Sequence, residues 1–263
     1  MFPLTDFSPM RVVQAIGLVV LLSCGVCPLC AAQETAIPSS QSESVSLDSL
    51  QRSITALSDG DPVRRATARD DLLALAPGDL PTLRTAVEKL RPLAPGDAEA
   101  LREIVTHVYL KGQNADGNRA TGFMGVMMRN YEIIYGESDE SGDAQPLGVV
   151  VDNRLPGFAA YRALHDGDLI TAIGVEAAPE MRVNQSEQIT AFIGRLPAGS
   201  VVHLRVLRQG RPIEQTITLD ARPAQLSAGQ PIVSPDVYRQ EQQAKARAYW
   251  AANFASLVDD ALS

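Results

Sequence analysis

The sequence predicts an α+β protein in which an array of short helices comes first, a sheet region of about a hundred residues follows, and a helix ends the chain. Three observations carry that expectation. Apolar residues recur at spacings of three and four in the first half, the period changes to two in the second, and Gly- and Pro-bearing turns punctuate both. With 263 residues, 45% of them hydrophobic, the chain is long enough to bury more than one core. Its 31 acidic residues outnumber 23 basic ones, giving a net charge of -8 that repels phosphate backbones and anionic lipid. Nucleic acid is therefore excluded as an expected partner, and a membrane only through a lipid anchor.

Residues 1–32 read as a secretory signal. Arg11 precedes an apolar run, residues 12–22, followed by small residues and then polar sequence from Gln33, and Met10 makes a better start than Met1. The run is shorter than the ~20 residues a spanning helix needs. Export to the periplasm or cell envelope is expected. All three cysteines, Cys24, Cys27 and Cys30, fall in this segment, so the folded part has no thiol for a disulfide. Leu21-Leu22-Ser23-Cys24-Gly25 resembles a bacterial lipobox, which would make Cys24 the lipidated residue of an anchored lipoprotein; cleavage near Ala32, releasing a soluble protein, is the other reading.

Residues 33–45, rich in Ser, Gln, Glu and Thr, bury too little to fold and are expected to be a flexible linker. Helical patterning occupies residues 46–110. Leu47, Leu50, Ile54 and Leu57 share one face, and then Gly60-Asp61, Gly78-Asp79 and Gly96-Asp97 recur, with Leu-Ala-Pro-Gly-Asp complete at 75–79 and 93–97. Gly suits the left-handed end of one helix, Asp the cap of the next, and Pro62 the first turn, so each repeat is expected to be one short helix. The apolar faces are Ala66, Leu72 and Leu73, then Leu83, Val87 and Leu90, then Leu101, Ile104 and Val105. Such faces must pack on neighbours, and the region resembles a small HEAT-like array, first of all a structural spacer. A polar loop, residues 111–119, ends it.

In residues 120–223 the period is two. Val202, Leu204 and Val206 alternate with other residues, as do Ile213, Ile217 and Leu219 across the Gln209-Gly210 turn, which predicts a hairpin with one buried face. Residues 125–128, 147–151 and 169–173 supply further strands, and the acidic segment 136–144 a mobile loop. Ser234-Pro235 opens a last amphipathic helix, 234–262, whose stripe of Trp250, Phe254, Leu257 and Val258 is expected to dock on the chain's own fold.

Three stretches within 120–223 occur in a specific order: Gly122-Phe123-Met124-Gly125-Val126, then 148–153 followed by Pro156-Gly157-Phe158-Ala159, then Leu164-His165-Asp166-Gly167-Asp168-Leu169-Ile170. In order and spacing, and through Pro197-Ala198-Gly199 and Arg208-Gln209-Gly210 beyond them, this region resembles bacterial PDZ domains of the circularly permuted, HtrA-like type. The resemblance implies a partly open β-barrel or sandwich with two helices, and a peptide-binding site. On it, the loop of Gly122, Phe123, Met124, Gly125 and Val126 binds a peptide carboxylate through its amide groups, Gly125 allowing a turn tight enough for successive N–H groups to converge. Arg119 stands where many members keep a basic residue. The strand after the loop, with Met128, offers an edge to an incoming peptide. A helix at 185–196, with Asn184 and Glu187 at capping-box spacing, supplies Ile189, Phe192 and Ile193, some for the pocket of the ligand's last side chain and others for the core. An apolar C-terminal residue is the expected ligand, and Met124, Met127 and Met128 either make recognition permissive or fill core space. The chain departs from the family in two turns, lacking Gly between Ala163 and Leu164 and Asn before Gly174.

PDZ domains of exported bacterial proteins often accompany a protease, but this chain carries no Gly-x-Ser-x-Gly or Gly-Asn-Ser-Gly-Gly segment, no Cys/His set and no His-Glu-x-x-His. Its three histidines, His107 on a helix, His165 in a turn and His203 on a strand, form no recognisable set. The protein is expected not to be an enzyme and to need no cofactor or metal. Its expected partners are protein C-termini or extended peptides, which it binds as an envelope adaptor or scaffold. Regulation of a separate envelope protease, or a structural role with the groove occluded, are the alternatives.

Overall fold

The computed structural model describes residues 45–114, 117–131, 148–175, 181–226 and 234–258. The leader with Cys24, nearly all of the linker, the acidic segment 136–144 and residues 259–262 lie outside them. The α+β class holds: helices first, then antiparallel sheet with helices, then a C-terminal helix.

Four helices open the fold: α1 (Leu47–Ala56), α2 (Pro62–Leu73), α3 (Leu80–Leu90) and α4 (Pro95–Gln113). Ser46 caps α1 by accepting from the Ser49 N–H, and Leu50 and Ile54 are buried on its inner face. Asp61 caps α2 by accepting from the Val63 N–H at 2.9 Å, with Pro62 in the first turn as the sequence predicts. The repeated Gly-Asp pairs do not otherwise play one role. Where the order is Pro-Gly-Asp, proline starts the helical segment, so Gly78-Asp79 falls in a 3-10 turn and Gly96-Asp97 inside the first turn of α4. None of the three glycines has a positive φ, and a Cβ on any of them would meet nothing. The left-handed role expected of them is therefore not used. What the two full repeats share is a buried leucine, Leu75 and Leu93, ahead of the Ala-Pro helix start. Ala66 is exposed, and Ala68 takes the buried place expected of it. α4 is not short, and it runs through the start of the expected polar loop to Gln113.

Helices α1 to α4 share one core with the end of the chain. Here α7 (Pro235–Asn253) and α8 (Ala255–Val258), separated by a break at Phe254, replace the single helix expected. Phe254, Leu257 and Val258 are buried among Leu72, Leu83, Leu101 and Ile104, and Trp250 packs half-buried against them. The self-docking expected of this stripe is what the fold contains. Because α7 and α8 share this core, the helices form one bundle with the C-terminal segment where a small HEAT-like array was expected.

The sheet region contains β1 (Asn118–Phe123), β2 (Val126–Asn130), β3 (Val149–Arg154), α5 (Ala160–Ala163), β4 (Leu169–Gly174), β5 (Met181–Arg182), α6 (Ser186–Ile193), β6 (Val201–Arg208), β7 (Arg211–Thr218) and β8 (Asp220–Arg222). The strands run β2-β3-β4-β6-β7 in one antiparallel sheet, with β5 also on β4, while β1 pairs with β8. Gln209 and Gly210, with φ of 52° and 77°, make the tight turn between β6 and β7. Alternate residues Val202, Leu204 and Val206 of β6 meet Val149, Val151 and Ile170 in the second core.

One buried ion pair anchors this sheet. Asp168, 1% exposed, accepts from Arg208 through both oxygens at 2.9 and 2.8 Å and from the His165 N–H at 2.8 Å. Burial alone would raise its pKa, but the Arg208 hydrogen bonds and the His165 N–H outweigh it and hold the carboxyl below its ordinary value. Asp168→Ala strands the Arg208 cation and is expected to cost about 3 kcal/mol in denaturant unfolding, whereas Arg129→Ala, which removes an exposed pair with Asp152, is expected to cost under about 1 kcal/mol.

Candidate functional site

The loop 122–126 joins β1 to β2 at the edge of the main sheet. Among the described strands β2 pairs only with β3, so its outer edge has no strand partner. Gly125 has φ +79°, and its Cβ position is occupied: a methyl there would lie 2.2 Å from Phe158 Cβ and 2.5 Å from Cγ. The loop's carbonyls are taken from behind. Gly125 O accepts from the Leu155 N–H at 2.8 Å and Met124 O from the Ala160 N–H at 3.4 Å. Its donors are not: the N–H groups of Met124 and Gly125 reach no described backbone carbonyl or side chain. Both residues are buried. Recessed donors without partners are what a carboxylate would satisfy.

Helix α6 faces this edge and is pinned at both ends. The Gly122 N–H donates to Leu196 O at 2.6 Å beside the loop, and the Ser186 N–H donates to Asn130 Oδ1 at 2.8 Å at the far end of β2. Gln188 Oε1, not Glu187, accepts from the N–H groups of Asn184 and Gln185 at the helix start. The structure sorts the apolar residues that sequence left mixed. Ile189, Ile193 and Met124 are buried in the core, while Val126 and Met128 of β2, Phe192 of α6 and Leu196 just after it lie half-buried against that core. Met127 points the other way, packing with Phe123 against Leu155, Phe158 and Tyr238. Two of the three loop and strand methionines thus have identifiable core roles.

Arg119 is exposed and lines a cleft of about 280 Å³ together with Lys111, Asn114 and Asp220. A different cation stands by the loop. The Arg222 guanidinium lies 5.7 Å from the Phe123 ring centroid, a contact between β8 and the loop that sequence reasoning missed. A second cleft, about 380 Å³, shares Lys111, Gly157 and Asp220 with the first and is also walled by His107 and Arg162. Burial raises the Asp220 carboxyl above its ordinary value against the opposing Ala159 N–H and Lys111 charge, and burial, with Arg162 nearby, lowers the Lys111 ammonium.

Residues 155–161 lie between this site and the helical bundle. The Gly157 N–H donates to His107 Nδ1 at 3.0 Å, and the Tyr161 ring stacks on His107 with centroids 5.0 Å apart. Tyr161 also donates to Glu103 Oε1 at 2.6 Å, Glu103 pairs with Arg69 of α2, and Arg154 lies over the Tyr161 ring while bonding Asp166. His107 is thus a buried acceptor, a role its position on an apolar helix face gave no sign of. His165 is exposed as expected, and His203 meets Thr216 across the hairpin.

No family model and no curated protein matches the chain. Solved structures similar to it include the HtrA-type protease AlgW with decapeptide, 22% identical with a TM-score of 0.33 over 48% of this chain and 35% of that one. The PDZ domain of a carboxy-terminal protease from Vibrio cholerae in complex with peptide is 19% identical, with a TM-score of 0.29 over 38% of this chain and 94% of that domain. The serine endoprotease from Yersinia pestis is 19% identical, with a TM-score of 0.29 over 40% of this chain and 31% of that one. The match spans about a third of each full protease.

Burial, reinforced by the charges of Lys111, Arg162 and Arg69, lowers the His107 pKa to about 3, so the ring is neutral and Nδ1 is free to accept. An unfolded histidine protonates near 6.5, so the unfolded state binds the extra proton as pH falls from there toward 3. Stability from this group is full above 6.5 and declines below it. Between pH 6.5 and about 5, above most carboxylate titration, unfolding free energy is expected to fall by up to about 1.4 kcal/mol per pH unit, and His107→Asn to flatten that slope.

Proposed function

We propose that this protein captures C-terminal or extended peptide segments of partner proteins along β2, and does so without catalysis, as an exported adaptor or scaffold of the cell envelope. The observation that carries this is the loop at the head of a free strand edge, where the carbonyls of Met124 and Gly125 are tied back and their N–H groups have no partner among the described residues. A carboxylate would complete those donors while the tail adds to β2 by main-chain hydrogen bonds. Val126, Met128, Phe192 and Leu196 supply half-buried apolar surface beside the loop, which suits an apolar last residue. The two ties that pin α6 frame the length of β2, so the seated segment is short, about four residues at strand rise.

A second reading has its own support. The Asn130 to Ser186 hydrogen bond joins β2 directly to α6, and a groove held shut there would suit a structural role. Regulation of a separate envelope protease is compatible with the first reading, since the partner would bind the same edge.

The test is calorimetric titration of the mature protein with C-terminal peptides ending in apolar residues, each as free acid and as amide. The proposal expects free acids to bind with amidation costing tenfold or more, of the order of one charge-assisted hydrogen bond, and Gly125→Ala to abolish binding because its methyl collides with Phe158. Binding that appears only after Asn130→Ala supports the occluded reading. Equal binding of acid and amide contradicts carboxylate capture.

A further inference from the structure

We infer that the helical bundle sets the geometry of the carboxylate loop, with His107 and Asp220 as positioning residues acting through Phe158. The functional part of this inference rests on the peptide-capture reading above, but its structural part is separately measurable.

Phe158 is 1% exposed, and its ring and Cβ fill the space behind Gly125. The ring also meets Phe123 edge-on, with centroids 4.9 Å apart and planes at 77°. Any shift of Phe158 therefore displaces the backbone that must aim the Met124 and Gly125 donors, because close-packed contacts pass displacement on without slack. What fixes Phe158 lies outside its own turn. The residues on either side of it donate outward from their N–H groups, Gly157 to His107 Nδ1 on α4 at 3.0 Å and Ala159 to Asp220 Oδ2 on β8 at 2.6 Å.

The turn is pressed against α4 as well as against the loop. Gly157 has φ +93°, and a methyl on it would lie 2.8 Å from the Leu110 carbonyl carbon and from Asn114 Nδ2. Residues 155–160 form a wedge with α4 on one side and Met124-Gly125 on the other, and Leu155 and Ala160 donate directly to those two residues. A bundle of helices serving only as a spacer requires none of these contacts. Here α4 supplies the acceptor that orients Gly157, the residue before the loop's support.

Side-chain chemistry provides a matched test. Asparagine carries Oδ1 one bond beyond Cγ, where histidine carries Nδ1, so His107→Asn retains an acceptor for the Gly157 N–H, while His107→Leu keeps bulk and removes it. Asp220→Asn and Asp220→Ala form the same pair on the other side. The first readout is 15N relaxation of the Met124, Gly125 and Val126 amides in peptide-free protein. The Leu and Ala variants are expected to gain mobility there and not in the β6-β7 hairpin, while the Asn variants stay close to wild type. The second is the ratio of affinities for free-acid and amidated peptides, expected to fall about tenfold in the Leu and Ala variants and to change less than about twofold in the Asn variants. Unchanged relaxation and an unchanged ratio in folded Leu and Ala variants overturn the inference. If His107→Leu fails to fold, Asp220→Ala alone decides it. A wild-type protein that does not distinguish acid from amide defeats the peptide-capture reading, while the relaxation result still decides whether the bundle positions the loop.

Discussion

Behind Gly125 there is room for hydrogen and not for a methyl group, because Phe158 occupies that space. The loop turns with φ +79° at residue 125, where a side chain would collide with Phe158, so the backbone that carries its donors is set against that ring. That contact joins the three parts of the molecule. β1 and β2 arrive on one side of it, β8 holds the N–H of the following residue, Ala159, through Asp220, and α4 holds the N–H of the preceding residue, Gly157, through His107.

The interface around this contact is polar, and a chain of paired side chains runs through it. Arg69, Glu103, Tyr161, Arg154 and Asp166 form a continuous chain from α2 through α4 to the turn ahead of β4. Two steps further along, Asp168 and Arg208 close the same turn onto β6. Buried polar groups cost little when each has a partner and a great deal when one is removed, so a network of this kind fixes one relative arrangement of bundle and sheet. The C-terminal helix reinforces it from the far side: Tyr238 donates to Asn114 at 3.0 Å and shares a small apolar cluster with Leu155 and Phe158.

Local periodicity made much of the fold legible. The three-and-four spacing of Leu47, Leu50, Ile54 and Leu57 and the alternation of Val202, Leu204 and Val206 depend only on the geometry of one element, and both faces lie where the spacing put them. The Gly-Asp repeats are identical in letters and different in role. Proline precedes Gly78-Asp79 and Gly96-Asp97 but follows Gly60-Asp61, and it is proline that sets where each helical segment begins. In the site, the carboxylate loop and its strand were visible as a motif. Which of Ile189, Phe192 and Ile193 faces inward was not, since all three lie within one turn of helix and only packing separates them. His107 and Asp220 could not be assigned from sequence at all, because they act on Gly157 and Ala159 from 50 and 61 residues away.

A crystal structure of the protein with an apolar C-terminal peptide is the most direct measurement of the central claim. The terminal carboxylate is expected at about 3 Å from the Met124 and Gly125 nitrogens, with the tail antiparallel to β2 and beside α6. A peptide seated elsewhere, such as the cleft walled by Lys111 and Asp220, with the β2 edge left bare, would contradict it.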